Sequence, residues 1–400
     1  MKITLITGHY PPPYTANGIR AMYMVKALIS KNFDVRVIQL LSLNNTKQIR
    51  EGFYGETVFI PYRNLPKQVE KPHILNRILD LAKKRNIEDI FFYLREFEPD
   101  IVIGTLPPVE GIPIALRVAQ KYNAKLIADI QDLSDEYKIL EKPYLAPLVR
   151  LLFRKVYKTL KKSDIIVATT EFAASILKNR VGKNVFVVPN GADTEFFKQC
   201  FELKYRRKTK EHPLAAFLGD LNWKYHALDK FIKAVAMLSK GKLNVQLRVM
   251  GTGKLANYYK NVAKKEGIED LIEFLGYVPR EELPKLLSEA DFAIVGRPAI
   301  ENLWIKSSIR LTAYEYIACG LPIFAYGPPN SYTQYFIENN NIGVYVPTDE
   351  PSELAKGLKN NLKKILSIDS AHVRKIGEKY NWNSVMTTLT KLLLEDRSPI

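Results

Sequence analysis

Lys306–Gly327 reads KSSIRLTAYEYIACGLPIFAYG, and the fold class of the chain follows from this stretch. Ser307 or Ser308 is a good helix N-cap, Gly320 suits the position just past a helix C-terminus, and Pro322 acts as a stop. The run LPIFAYG that follows reads as a strand buried on both faces. A short helix thus precedes a parallel strand, with Arg310 in its first turn and its positive end suited to a nucleotide diphosphate. Glu315, further along the helix, is costly to bury unless it accepts hydrogen bonds. Ribose hydroxyls would satisfy it, and so would a neighbouring Lys or Arg.

Outward from this unit the same alternation recurs. Upstream come KITLIT, a helix expected over Ile19–Lys31, DVRVIQL, DIVIGT, AKLIADI and DIIVATT. After the basic stretch KYRRKTKEHP the series restarts with LAAFLGD, a helix over Leu228–Leu238, VQLRVMG, IEFLGYV and FAIVG. Strands alternating with amphipathic helices indicate βαβ units on parallel sheets, and the restart indicates two of them. The expected class is α/β with two Rossmann-like domains, joined by a linker over Asp193–His212. The terminal stretch NWNSVMTTLTKLLLE places Trp382, Val385, Met386, Leu389, Leu392 and Leu393 at helical spacing.

Four hundred residues, 46% of them apolar and 25% charged, supply two cores and exclude a disordered or fibrous chain. The opening MKITLITGHYPPP lacks the apolar run and cleavage site of a signal peptide, and no later segment approaches the roughly 20 apolar residues of a membrane span. Cys200 and Cys319 are too few for a disulfide framework and have no zinc spacing, which fits a reducing cytosol. The net charge of +17 implies an anionic partner. Nucleotide phosphates, anionic headgroups and nucleic acid all qualify. Against nucleic acid, no zinc finger, RNP sequence or helix-turn-helix pattern stands out, and the basic residues are dispersed.

Several loops carry candidate chemistry. His9–Gly18, HYPPPYTANG, precedes a helix whose first amides can face an anion or a hydroxyl-rich ligand, with Asn17 and Gly18 at the close approach. In FVVPNGADTEFF, Asn190 and Gly191 follow a strand and fall where open α/β sheets bind ligands. VMGTGK and FLGYVPREEL put Gly251, Gly253 and the Tyr277–Val278 backbone at strand ends in the second sheet, where main-chain amides could read a base. Leu145, Leu148, Leu152, Val156 and Leu160 form an apolar stripe over 145–162, opposite Arg150, Arg154, Lys158 and Lys161. That helix either rests on the core with a solvated basic face or contacts anionic lipid headgroups. No Asp-x-Asp follows a strand and no His/Asp/Glu cluster suggests a metal, so neither a metal nor a cofactor is expected.

In order along the chain, PPPYTANG, DIQDLSDEY, VVPNGADTEFF, FLGDLNWKYHALDKFIKAV, MGTGK, FLGYVPREEL and YEYIACGLPI resemble glycosyltransferase family 4, of GT-B fold. The resemblance spans nearly the whole chain. It implies an acceptor domain over 1–195 and a nucleotide-sugar donor domain over 196–380, facing across a cleft. A helix over 381–400 would cross back to the first. It implies a retaining transferase acting on a glycan or lipid-linked acceptor, cytoplasmic or peripheral on the cytoplasmic membrane face. By the same resemblance Glu315 matches the second of the family's paired glutamates, which binds the donor ribose. Lys224 lies near the diphosphate-binding lysine, with His226 competing for that place, and Asp132 matches the acidic residue after the cleft-facing strand.

The chain departs from the family at four positions. Ser307 replaces the first glutamate, Asp220 the phosphate-binding arginine, Gln131 the cleft histidine, and Asn17 a second loop glycine. The diphosphate load then moves to Lys224, Arg310 and the amides near Ser308. His9 and Asp132 are the candidates for a base. A sugar-nucleotide 2-epimerase of the same fold and a non-catalytic sugar-nucleotide-binding protein are the rival expectations.

Overall fold

The computed structural model describes residues 1–10, 15–42, 50–51, 56–62, 85–205 and 212–395. The chain divides into two compact units, Met1–Pro189 with Val385–Ile400, and Asn190–Ser384.

The first unit holds an eight-stranded sheet of β1 (Lys2–Thr7), β2 (Asp34–Ser42), β3 (Arg50–Glu51), β4 (Glu56–Tyr62), β5 (Ile101–Leu106), β6 (Lys125–Ile130), β7 (Ile165–Ala168) and β8 (Phe186–Val187). Its order is β3-β4-β2-β1-β5-β6-β7-β8, parallel except where β3 meets β4. Ile3, Leu5, Ile103 and Ile127 are fully buried, as central parallel strands with both faces covered require. The chain builds outward from β1 in one direction and from β5 in the other, so the two strands flank a switch point.

The second unit holds β9 (Leu214–Leu218), β10 (Gln246–Met250), β11 (Ile272–Gly276), β12 (Phe292–Gly296), β13 (Ile323–Tyr326) and β14 (Gly343–Val346). The order β11-β10-β9-β12-β13-β14 is the doubly wound arrangement, with its switch point between β9 and β12. Phe217, Phe231, Ile294 and Phe324 lie in its core.

Four expectations are corrected. The first helix begins at Ala16, not Ile19, because the Thr15 hydroxyl accepts from the Gly18 amide and caps it. Asn17 and Gly18 are therefore in a first helical turn, while Pro11–Tyr14 lie outside the described residues. The expected linker contains a helix, Lys198–Tyr205, that packs on the helices Leu283–Ser288 and Ser370–Lys379. Buried Phe197 and Cys200 hold it, too short a stripe for periodicity to betray, and 206–211 lie outside the described residues.

The helix read from Ser307 or Ser308 is broken. Leu303–Ser307 is a short helix capped by Asn302, residues 308–310 run extended, and Leu311–Ala318 starts after Arg310. Neither serine caps it. The amphipathic stripe over 145–162 differs at its start: Ala146–Leu160 buries Leu152, Val156 and Leu160 as expected, adds Val149 and Phe153, and leaves Leu145 and Leu148 half-buried. Its apolar face thus lies in the core, with Arg150, Arg154, Lys158 and Lys161 exposed. The helix Trp382–Glu395 buries Val385, Met386, Leu389 and Leu393, and from Val385 onward it groups with the first unit. Among the described residues no helix is long and apolar enough to cross a membrane.

Candidate active site

In the second unit, a cationic cluster forms at the carboxyl ends of β9 and β12. Arg310, buried, donates from NH2 to the Leu218 carbonyl at 2.8 Å, and its guanidinium lies 4.9 Å over the Phe217 ring. Its NH1 has no hydrogen-bond partner among the described residues. Tyr316, two turns along the same helix, accepts the Leu218 amide at 2.6 Å and so ties this helix to the end of β9. A Cβ at Gly219 would stand 2.2 Å from Arg310 NH2, so only glycine leaves room for the guanidinium here. Burial lowers the pKa of Arg310, and Tyr316, Tyr326 and Glu315 partly restore it.

From β12, Arg297 donates to the Ser308 hydroxyl at 3.3 Å and packs 4.9 Å over the Trp304 ring. From the 3-10 turn Lys224–His226, the His226 Nε2 stands 2.9 Å from the Asp220 carbonyl. Burial, then Arg310 and Arg297, hold this histidine well below its ordinary value of 6.5. Two arginines and one histidine therefore meet at the sheet's switch point, on three separate elements. Two buried guanidinium charges beside an imidazole suit a diphosphate.

Glu315 is buried, and burial raises its carboxyl pKa against the opposing pull of Arg280 and Arg310. Its Oε1 receives Arg280 NH1 at 3.4 Å, a long contact from a guanidinium that also packs 4.8 Å over Phe196. The alternative of a basic neighbour is thus realised in this structure, by Arg280.

In the first unit, polar groups gather at the ends of β1, β5 and β6. A Cβ at Gly8 would come 2.8 Å from Pro108, so the loops after β1 and β5 touch. Thr105 Oγ1 lies 3.1 Å from Thr7 Oγ1, which accepts the His9 amide at 3.3 Å. Burial lowers the pKa of His9 from 6.5, so the ring is neutral near neutral pH. Below them Arg20 grips Asp129 through Nε at 3.0 Å and NH2 at 2.7 Å, and Gln131 Nε2 donates to the same carboxylate at 2.9 Å. One side-chain oxygen each of Glu110 and Gln131 is buried with no hydrogen-bond partner among the described residues. Buried acceptors of this kind await a donor, and hydroxyls of a ligand would serve.

Residues 18–196 match the family model "Glycosyltransferase Family 4" and residues 201–379 match "Glycosyl transferases group 1". An uncharacterized glycosyltransferase of Methanocaldococcus jannaschii is 21% identical over 96% of both chains. A D-inositol 3-phosphate glycosyltransferase of Corynebacterium aurimucosum is 29% identical over 36% of this chain and 35% of its own length. Among solved structures, sucrose-phosphate synthase from Thermosynechococcus elongatus aligns with a TM-score of 0.75 at 15% identity, covering 99% of this chain and 98% of that one. Anabaena HepE in complex with UDP-glucose aligns with a TM-score of 0.69 at 13% identity, covering 99% and 100%. The chain is a family 4 glycosyltransferase of GT-B fold.

Within this glycosyltransferase the predicted residues are distributed unevenly. Arg310, Ser308 and His226 join the switch-point cluster, and Ser307 is buried beside it in sequence. Lys224 is exposed, its ammonium 5.1 Å over the Tyr258 ring, so His226 rather than Lys224 meets the arginines. The Asp220 carboxylate accepts from the Asn222 amide at 2.8 Å and side chain at 2.6 Å, closing its own turn. Beside that position Arg310 NH2 reaches Gly219 from another helix.

Gly251 and Gly253 have a packing reason. With φ at +151° and +155°, they bring their loop against the one after β9, where added Cβ atoms would stand 1.8 Å from the Gly219 carbonyl oxygen and 2.3 Å from Leu221. Val278 is half-buried after the edge strand β11, two strands from β9. Asn17 and Gly18 lie in the first turn after β1, and Asp132 is half-buried just past Gln131, where its carbonyl accepts the Ser134 amide at 2.9 Å. Sequence reasoning missed Arg297 and Glu110. Arg297 directly follows FAIVG, but its importance depends on β12 lying beside β9, which only strand order reveals. Among the described residues no group of three His, Cys, Asp or Glu is placed to hold a metal ion.

Proposed function

We propose that this glycosyltransferase moves a sugar from a nucleotide-sugar donor to a glycan or lipid-linked acceptor, with retention, in polysaccharide or glycoconjugate biosynthesis. One observation carries the reading: a buried Arg310 guanidinium with an unpartnered NH1 at the switch point of the second sheet. Burying a cation without a carboxylate on that nitrogen is costly, and a diphosphate is the anion that would offset it. The complex of HepE with UDP-glucose supports the same class of donor.

In this reading the diphosphate rests against Arg310, Arg297 and His226, and Glu315 exchanges its long Arg280 contact for the donor ribose. The bond from the sugar's anomeric carbon to the diphosphate breaks and the diphosphate leaves with the electron pair. The acceptor oxygen then bonds to that carbon on the same face. Fixed cations in a site of low dielectric stabilise the charge that develops on the leaving group, a role a metal ion would otherwise take. His9 is our assignment for the group receiving the acceptor's proton, since it is neutral near pH 7, with Asp132 the carboxylate alternative. Glu110 and Gln131 supply acceptor oxygens to the hydroxyls of the incoming glycan. The exposed cations Arg150, Arg154, Lys158 and Lys161 around a 440 Å³ hollow support contact with an anionic membrane face.

Incubation with a panel of nucleotide-sugars, with and without polyprenyl-linked acceptors, tests the proposal by nucleotide release. Release that depends on acceptor is expected. Conversion of the sugar in place, or binding without turnover, would replace this reading with an epimerase or a binding protein.

A further inference from the structure

We propose that His226 takes up a proton when the nucleotide-sugar diphosphate binds, making donor affinity depend on pH through this one side chain. The inference rests on the donor site described above and adds a proton to its ligands.

The ring's hydrogen bonding fixes its protonation pattern. Nε2 stands 2.9 Å from the Asp220 carbonyl, and a carbonyl can only accept, so Nε2 carries the hydrogen. In the neutral ring Nδ1 is then a bare lone pair. That atom is sealed from solvent and has no hydrogen-bond partner among the described residues. A buried, unanswered acceptor beside two arginines is a poor arrangement for the fold and asks for a functional account.

The surroundings explain why the ring is neutral. Arg310 at the start of its helix and Arg297 at the end of β12 both oppose a third positive charge. The Phe217 ring, 5.6 Å away edge to face, offers no compensation. The Asp220 carboxylate is engaged by Asn222, and the Tyr326 hydroxyl is held by the carbonyls of His226 and Ala227 at 3.3 and 3.0 Å. Tyr326 is itself pushed to a higher pKa by burial and stays neutral. The balance is thus set by burial and two cations against one backbone carbonyl.

A diphosphate offsets the two cations in this balance. Two negative charges neutralise the arginines, and a phosphate oxygen accepts from Nδ1 once it carries a proton. The imidazolium then bridges the Asp220 carbonyl and the diphosphate. Access is at hand, because the ring sits on a single 3-10 turn flanked by exposed Asn222, Trp223 and Lys224. Contact between Nδ1 and an incoming oxygen requires this turn to shift, since the atom is closed to solvent.

The sign follows from linkage. A group whose pKa is raised by binding favours the complex below that raised value, so donor affinity is greatest at low pH and weakens as pH rises through it. Between the free and bound values, affinity falls about tenfold per pH unit. A nucleotide-sugar is the right probe, since its diphosphate is esterified at both ends and has no proton of its own to exchange near neutrality.

The test is calorimetric titration of the full chain with UDP-glucose and GDP-mannose near pH 7, in buffers of different ionisation enthalpy, repeated between about pH 6 and 9. The wild type is expected to take up close to one proton per donor bound. His226→Lys should take up none and bind with affinity that barely changes with pH, since its cation is permanent. His226→Gln should bind weakly, at least tenfold below the wild type at the acid end, and also without proton uptake. Should the lysine variant fail to fold, the glutamine variant alone decides. Zero uptake by the wild type, or unchanged uptake in His226→Gln, overturns the inference and leaves the donor site standing. No binding of either probe at any pH overturns both.

Discussion

Replacing Arg310 by Met separates a ligand-binding role from a structural one, because the two predict opposite balances of stability and affinity. The substitution removes the 2.8 Å bond to the Leu218 carbonyl and the stacking on Phe217. A hydrogen bond from a charged donor contributes about 1.5–3 kcal/mol and a cation over an aromatic ring about 0.5–2 kcal/mol. Against this, the buried guanidinium has, among the described residues, an unpartnered NH1 and no ion pair at hydrogen-bonding distance, so several kcal/mol of desolvation, on the order of the loss, are relieved by methionine, a shorter apolar side chain that keeps the stem's packing. Urea unfolding should therefore place Arg310→Met within about 1 kcal/mol of the wild type. Donor affinity, which loses at least one charge-assisted bond to the diphosphate, should fall about ten- to a hundredfold. A variant destabilised by several kcal/mol with unchanged donor affinity would refute the reasoning and make Arg310 a strut between its helix and β9.

Glu315→Gln should weaken donor binding by about tenfold or more, and it should also remove a pH dependence from stability. Burial raises the carboxyl pKa of Glu315 in the fold, so the folded state binds more protons than the unfolded one above the ordinary value of 4.5, and the wild type loses stability as pH rises. Urea titrations of both proteins at acid and neutral pH should show that difference shrink in the variant. His9→Gln should lower kcat by about 100-fold with little change in donor affinity, and wild-type kcat should persist below pH 6.5, since burial depresses the His9 pKa. Gly251→Ala forces a side chain at φ +151° to within 1.8 Å of the Gly219 carbonyl oxygen, and thermal unfolding should register a loss of at least about 3 kcal/mol. Charge reversal of Arg150, Arg154 and Lys158 should abolish flotation with anionic vesicles while leaving the melting temperature within a few degrees, as these side chains are exposed.

The sheets were legible because parallel strands buried on both faces are written as continuous apolar runs, such as KITLIT and FAIVG. Gly343–Val346 and Glu56–Tyr62 were missed, the former being four residues long at a sheet edge. Helix ends misled where side chains were given their most frequent role. Ser307 and Ser308 look like caps, yet Asn302 caps the short helix and Ser308 serves Arg297 instead. Candidate residues were legible when they stood inside a motif, as Glu315 and Arg310 do. They were hidden when their meaning depended on which strands are neighbours. Arg297 and Glu110 sit in unremarkable loops until the order β9-β12 and the contact between the β1 and β5 loops bring them beside the other polar groups.

A crystal structure with a bound nucleotide-sugar tests the account most directly. It should place a phosphate oxygen within about 3 Å of Arg310 NH1, with Glu315 on the ribose and Arg297 against the same diphosphate. A diphosphate bound elsewhere, with that nitrogen still unpartnered and Glu315 still held by Arg280, would contradict it.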